Sequence, residues 1–321
     1  MNQEKIKKNF YEAVNGEWLE KAEIPGDQPS VSAFLELHLG IEKTLMDLTS
    51  KWEKEQELLN DHLKKYIQYH QMTKDFERRN QLGTEPFKVI LNKLNGLKNL
   101  KDLEAAYHDF SLESISTPFW FSVMQDFMHS NNQILYFGAG NLFLPDTSYY
   151  KDESKKSQLI GLFTMTTKQL LTLYGFSQEQ IEKLMAEALA FDELLVPVTK
   201  SSVEKADYVK MYNPVTKEEI NRKTKYFALI DHAEALVNQS VDQLIVTNLD
   251  FINAFDEIIC EENFDIMKSW MIVTNAIKFA AFLTDDIRVA GGAFRRALSG
   301  IKEPQNQKKF AFYQAYDQFG E

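Results

Sequence analysis

Residues 264–285, FDIMKSWMIVTNAIKFAAFLTD, are apolar on almost every side of a helical wheel. A helix that is hydrophobic all round is a buried one, so this stretch predicts a helix at the centre of a bundle. Its most apolar run, Trp270 to Leu283, is 14 residues long and is interrupted by Asn275 and Lys278. That is too short for a membrane span of about 20 residues. The helices needed to surround it are legible on both sides. Residues 181–195 place Ile181, Leu184, Met185, Ala188, Phe191 and Leu195 at spacings of three and four, the stripe of an amphipathic helix. Residues 157–174 form a richer apolar helix ended by Gly175, and residues 33–58 carry Phe34, Leu37, Ile41, Leu45 and Leu48 between charges. Shorter helices are predicted at 4–14, 60–80, 85–96, 101–109, 249–260, 289–299 and 306–319. Strand signals are few: Gln133–Phe137, Gln243–Val246 and, more weakly, Tyr226–Leu229. Gly138 to Tyr150, GAGNLFLPDTSYY, is punctuated by Gly, Asn, Pro and Asp and predicts a structured loop. The fold class is mainly α, with one or two short β-hairpin or strand pieces.

The chain has 321 residues, which at roughly 150 residues per domain predicts about two domains. Hydrophobic residues make up 44% and charged residues 26%, the composition of an ordinary globular protein rather than a disordered or disulfide-stapled one. Lysine and arginine number 36 against 47 acids, a net charge of −11. Phosphate contacts need clustered basic side chains, and the pairs Lys64/Lys65, Arg295/Arg296 and Lys308/Lys309 each sit among acidic or neutral residues. Nucleic acid and membrane are therefore not expected partners. The first 19 residues, MNQEKIKKNFYEAVNGEWL, hold no apolar stretch of the 7–15 residues found in signal peptides. With a single cysteine, Cys260, this predicts a cytoplasmic protein. Cys260 lies between Ile258-Ile259 and Glu261-Glu262; acidic neighbours raise a thiol pKa, so a buried structural role is expected.

No local motif supplies an active site. The six histidines are His38, His62, His70, His108, His129 and His232, and no two are spaced by three or four residues, as the zinc motif HExxH requires for two imidazoles on one helical face. Gly138-Ala139-Gly140 lacks the third glycine and the following helix start of a phosphate loop. There is no GxSxG and no CxxC. Asp231-His232 and the Cys260 region are the remaining candidates for unrelated chemistry. No catalytic residue and no metal ligand is assigned in this chain.

Four strings in order resemble the N-terminal half of the neprilysin family of zinc endopeptidases, bacterial PepO-type members in particular. Asn9-Phe10-Tyr11, Val14-Asn15-Gly16, Trp18-Leu19 and Ile24-Pro25 match the family's opening. Leu142–Tyr150 (LFLPDTSYY) and Val203–Thr216 (VEKADYVKMYNPVT) match two internal motifs, and Phe294–Gly320 carries ALSG, Pro304 and AYDQFG in the family's order.

The resemblance implies that HExxH, the third glutamate ligand and the substrate-backbone motif lie in a C-terminal catalytic domain outside this sequence. Zinc is thus expected in the parent enzyme, with its ligands outside this chain. Residues 1–30 are then expected to pack on the catalytic domain. Residues 31–321 are expected to be the helical capping domain of a two-domain metallopeptidase, enclosing a cavity that admits oligopeptides. The family's arginine, aromatic and second arginine on the primed side fall on Ser30, Phe34 and His38. Phe34 fits the aromatic; neither Ser30 nor His38 can form an arginine's two-pronged bond to a carboxylate. An open alternative places Phe34 and Leu37 in the core of the first long helix. Trp18, Asn15-Gly16 and Tyr212-Asn213-Pro214 read as architectural, the last two as turns. Two functions remain: the non-catalytic part of an oligopeptide-cleaving zinc endopeptidase, or a truncated or repurposed helical peptide-binding protein without hydrolytic activity.

Overall fold

The computed structural model describes residues 3–319. It contains two compact units: one is built from the chain up to Gln81 together with the chain from Gly292, the other from Leu82–Gly291.

The central helix of the second unit is the expected one, Phe264–Phe279. It packs on the helix Gln178–Leu195, whose start is fixed by a capping box between Ser177 and Gln180. Trp270, 1% exposed, fills the junction, with the Phe191 ring at 5.8 Å and the Phe143 ring at 6.1 Å. Asn275, the polar break in the apolar run, is fully buried with its amide satisfied. It accepts from Ser116 N–H at 2.8 Å and donates to the carbonyls of Ser116 at 2.9 Å and Met271 at 2.8 Å. A buried amide costs little when its hydrogen bonds are made, and this one pins the segment leading into the sheet. The helix stops at Phe279, short of residue 285. A 3-10 turn, Ala280–Phe282, and the helix Asp285–Gly291 follow.

One mixed sheet holds four strands, β1 (Phe119–Gln125), β2 (Gln133–Ala139), β3 (Asn213–Thr216) and β4 (Gln243–Val246), in the order β1-β2-β4-β3. The β1–β2 and β3–β4 pairs are antiparallel and β2–β4 is parallel. The signals at 133–137 and 243–246 thus mark real strands. The one at 226–229 does not: Phe227 is a buried core side chain and Leu229 opens the helix Leu229–Val237. Tyr212-Asn213-Pro214 is not a turn either, because β3 begins at Asn213. Proline is tolerated there because β3 is an edge strand, with no neighbour beyond it to require its missing N–H.

The glycines of Gly138-Ala139-Gly140 serve close packing. A Cβ on Gly138 would lie 2.6 Å from the Trp120 ring and 2.7 Å from Thr247 Oγ1, and one on Gly140 would lie 2.9 Å from the Trp270 ring. Gly138→Ala is expected to destabilise the second unit by about 1–3 kcal/mol through overpacking. Lower hydrogen-exchange protection in the helix Phe264–Phe279 checks this; unaltered protection refutes it.

The first unit joins distant segments. The helix Gln307–Phe319 packs on Asp61–Thr73 around Tyr66, Ile67 and Ala315, with Trp52, Tyr69 and Phe319 at the margin. Thr73 Oγ1 donates to the Ala311 carbonyl at 3.0 Å. His70 is buried against Glu53, with its Nδ1 at 3.0 Å from Glu53 Oε1. Burial lowers the pKa of this imidazole, outweighing the attraction of Glu53.

Two expectations fail in this unit. The stripe on the first long helix, now bounded as Ala33–Trp52, does not enter a core of this chain. Phe34 is 86% and Leu37 63% exposed, Ile41 and Leu48 are also exposed, and the buried residue of the helix is Thr49. Asn15-Gly16 makes no turn; both lie inside the helix Phe10–Lys21, capped by Asn9. That helix has no buried residue at all.

Candidate functional site

Ser30, Phe34 and His38 lie at the entrance and on the first turns of the helix Ala33–Trp52, and all three are exposed. Ser32 caps this helix by accepting from Leu35 N–H at 3.1 Å, which fixes where Phe34 leaves the chain. Trp18 Nε1–H donates to Glu36 Oε1 at 2.7 Å and so ties the preceding helix to the same turn. The three residues therefore share one short segment, and Phe34 presents its ring to solvent.

His38 is held by partners remote in sequence. Tyr313 O–H donates to Glu42 Oε2 at 2.6 Å, so its oxygen accepts from His38 Nε2–H at 3.0 Å. Glu42 also meets Lys309 Nζ at 3.0 Å, and Lys309 meets Asp27 at 2.8 Å. Lys309 is only 7% exposed. Burial alone would lower its pKa, but Asp27 and Glu42 outweigh burial and raise it. Burial, reinforced by Glu42, pushes the Tyr313 phenol well above its ordinary range. The loop between the first helices is held by the same segment: the N–H groups of Lys302 and Glu303 both donate to the Gly26 carbonyl, at 3.1 and 2.9 Å. The segment 24–42 is thus fastened to 302–313 by one ion triad, one tyrosine and a backbone clamp. Nothing in local spacing marks Asp27, Glu42, Lys309 and Tyr313 as partners. Their only sequence signal is that both segments belong to motifs of the family.

The two internal motifs are architectural. In LFLPDTSYY, Tyr150 O–H donates to Asp192 of the helix Gln178–Leu195, and Asp192 accepts Phe143 N–H at 2.8 Å. Leu144 N–H donates to the Tyr150 oxygen at 3.1 Å. Asp192 is 1% exposed. Its burial raises its pKa to about 6 although those donors favour the carboxylate. In the YNP motif, Tyr212 O–H donates to Asp126 at 2.8 Å, which pushes the phenol up to about 12, and Asn213 Nδ2 donates to the Val246 carbonyl at 2.9 Å. These contacts hold loops to the sheet and to helices.

Cys260 is half-buried and lines a surface cavity of about 760 Å³ rather than the core. Burial and Glu262 raise its thiol pKa, the opposite of an activated nucleophile. His232 packs beside the rings of Tyr107 and Phe227, and burial lowers its pKa. Among the described residues no three His, Cys, Asp or Glu side chains converge on a point that could hold a metal ion. The described residues therefore offer no ligand set for a zinc ion. No helix among the described residues is long and apolar enough to cross a membrane.

Comparison with known proteins agrees with the architecture. The model of peptidase family M13 matches residues 6–321. The neutral endopeptidase of Lactobacillus helveticus is 34% identical over 98% of this chain, which covers 48% of that protein. The neutral endopeptidase of Lactococcus lactis subsp. cremoris is 33% identical over 95% of this chain, which covers 49% of it. The crystal structure of PepO from Lactobacillus rhamnosis superposes with a TM-score of 0.90 at 25% identity, over 98% of this chain and 50% of that one. The chain spans about half the length of the curated relatives it matches. Matched along nearly its whole length, and folded as the helical part of PepO is, the chain belongs to peptidase family M13.

Proposed function

We propose that this chain is the N-terminal, non-catalytic part of a cytoplasmic zinc endopeptidase that hydrolyses oligopeptides. Its helical shell admits peptides and excludes larger substrates and bulk water, and Ser30, Phe34 and His38 border the primed side. Residues 1–30 pack on the catalytic domain and residues 31–321 form the cap. A zinc ion held by ligands outside this chain would supply the Lewis acid for peptide hydrolysis. The role of this chain is to bind, orient and enclose. With His38 and Ser30 in place of arginines, the site lacks a two-pronged carboxylate clamp, which favours internal cleavage over removal of dipeptides.

The observation that carries this reading is the bare apolar surface of the first unit. Phe10, Tyr11, Leu19, Ile24, Phe34 and Leu37 are all exposed. A helix such as Phe10–Lys21, with no buried residue, draws little stability from its own chain, because helices in proteins are held mainly by packing. Exposed apolar side chains gathered on two helices that the Trp18–Glu36 hydrogen bond ties together mark an interaction site.

The 321-residue chain alone is therefore expected to self-associate in size-exclusion chromatography with light scattering, and to cleave no peptide of a quenched fluorescent library. Amides around Trp18 are expected to exchange far faster than those of Phe264–Phe279. Addition of a catalytic domain carrying HExxH is expected to protect the Trp18 region and to restore cleavage. A monodisperse monomer whose Trp18 amides are as protected as the central helix would favour the repurposed binding protein instead.

A further inference from the structure

β1 is an edge strand, hydrogen-bonded only to β2. Gly140 N–H donates to the Pro118 carbonyl at 2.6 Å. In an antiparallel ladder, residues turned toward the partner alternate with residues turned away. Ser122 and Met124 therefore face β2 with their backbone groups, as Pro118 does, while the N–H and C=O of Phe121 and Val123 point out of the sheet. Phe119 obeys the same alternation, its outward carbonyl accepting Thr117 O–H at 2.7 Å. Among the described residues, the outward groups of Phe121 and Val123 have no hydrogen-bond partner.

Natural edges are blunted by charge, proline, bulges or a covering element. The strand FWFSVMQ has no charge and no proline, and it pairs one to one with β2 from Phe119 to Gln125 without a bulge. Its outer half is open, Val123 being 50% exposed. The edge borders a groove of about 460 Å³ whose walls include Leu112, Leu236 and Val237. At the end where the chain enters β1, Thr274 Oγ1 is buried without a partner, and Lys278 Nζ donates to the Ser114 carbonyl at 2.5 Å. Lys278 has no carboxylate partner among the described residues.

We propose that this groove binds an extended peptide as an added strand, antiparallel to β1, with its free C-terminal carboxylate at Lys278. Four outward main-chain groups set the recognition chemistry, as in strand addition to a sheet edge. An antiparallel strand ends where β1 begins, which brings its carboxylate to the Lys278 ammonium, whose present partners are the neutral oxygens of Ser114 and Ser116. A second copy of this chain is the poorer occupant, because its edge strand arrives attached to a sheet and carries no terminal carboxylate to place at Lys278.

The probe is the hexapeptide acetyl-Val-Thr-Val-Thr-Val-Thr with a free carboxylate, added to the 321-residue chain while the amides of Phe121 and Val123 are followed by NMR and hydrogen exchange. Saturable shifts and slowed exchange at these two amides are expected. Amidating the C-terminus is expected to weaken binding about tenfold, the value of one good charge-assisted hydrogen bond, and Lys278→Met to abolish that difference. The fully N-methylated peptide is expected not to bind. Val123→Pro is expected to fold, since its N–H faces away from β2, and to lose binding by about tenfold or more. Equal binding of the N-methylated peptide, or no response of these amides at millimolar probe, overturns the site. Protection that rises with protein concentration alone assigns the edge to a second copy and overturns it as well. An amide as tight as the acid overturns the role of Lys278. Because the readout is binding at named amides, hydrolysis by any partner domain does not enter it.

Discussion

Lys309→Met is expected to destabilise the first unit by about 3–5 kcal/mol, the cost of removing one partner from a buried ion pair. Methionine preserves the unbranched stem and much of its packing, so the change isolates the charge. Glu42 and Asp27, which Lys309 holds at 3.0 and 2.8 Å, are then left together with no cation between them. Replacing all three, as Lys309→Met with Asp27→Asn and Glu42→Gln, is expected to recover most of the loss, because no uncompensated charge remains. Hydrogen exchange in the helix Asp61–Thr73 is the suitable readout, since a two-unit chain has no single unfolding free energy. The sign with pH follows from the raised Lys309 pKa. Its contribution is complete below the ordinary lysine value of 10.5 and is lost as pH rises through the higher folded value. A single mutant as stable as the triple mutant would refute the ion triad. The triad's effect reaches further than stability, since it fastens the segment bearing Phe34 and His38.

Asp192→Ala is expected to cost the second unit about 3–5 kcal/mol, because Phe143 N–H and Tyr150 O–H lose their acceptor in a buried place. Asp192→Asn keeps one acceptor and is expected to cost less. The pH dependence separates charge from shape. Burial raises the Asp192 pKa from 3.8 to about 6, so between those values the folded chain binds more protons than the unfolded one. Stability contributed at this site is therefore greatest below about pH 4 and declines as pH rises through 6. Wild type is expected to gain on Asp192→Asn as pH falls across that window, measured as the difference in hydrogen-exchange protection of the helix Gln178–Leu195. A difference that stays flat from pH 4 to 7 would show that the carboxyl titrates normally.

Amphipathic and all-apolar periodicity located the helices that form the core of the second unit, because there each stripe meets a neighbour in the same unit. Residues 264–279 and 181–195 are the clearest cases. The same rule failed on Ala33–Trp52, where an equally good stripe ends in solvent. Periodicity reports that a face is to be covered but not by what. β1 carries no strand signal because FWFSVMQ does not alternate, and β3 carries none because its proline reads as a turn unless the strand is known to lie at an edge. At the candidate site, Ser30, Phe34 and His38 came from a resemblance in order and spacing. Their support by Tyr313, Glu42, Lys309 and Asp27 was illegible, since ion pairs between segments some 270 residues apart leave no trace in local pattern.

The first unit is assembled from two stretches with Leu82–Gly291 between them, and this constrains the order of events at the ribosome. The second unit is continuous and is free to fold as soon as it emerges, as domains generally do during synthesis. The helix Asp61–Thr73 must wait for its partner Gln307–Phe319, with Tyr66 and Ile67 uncovered until those residues are made. A prefolded insertion replaces a long flexible loop and so reduces the entropy of closing it. The helix Asp61–Thr73, made before the second unit, is thus completed after it, with its apolar side chains uncovered in the interval.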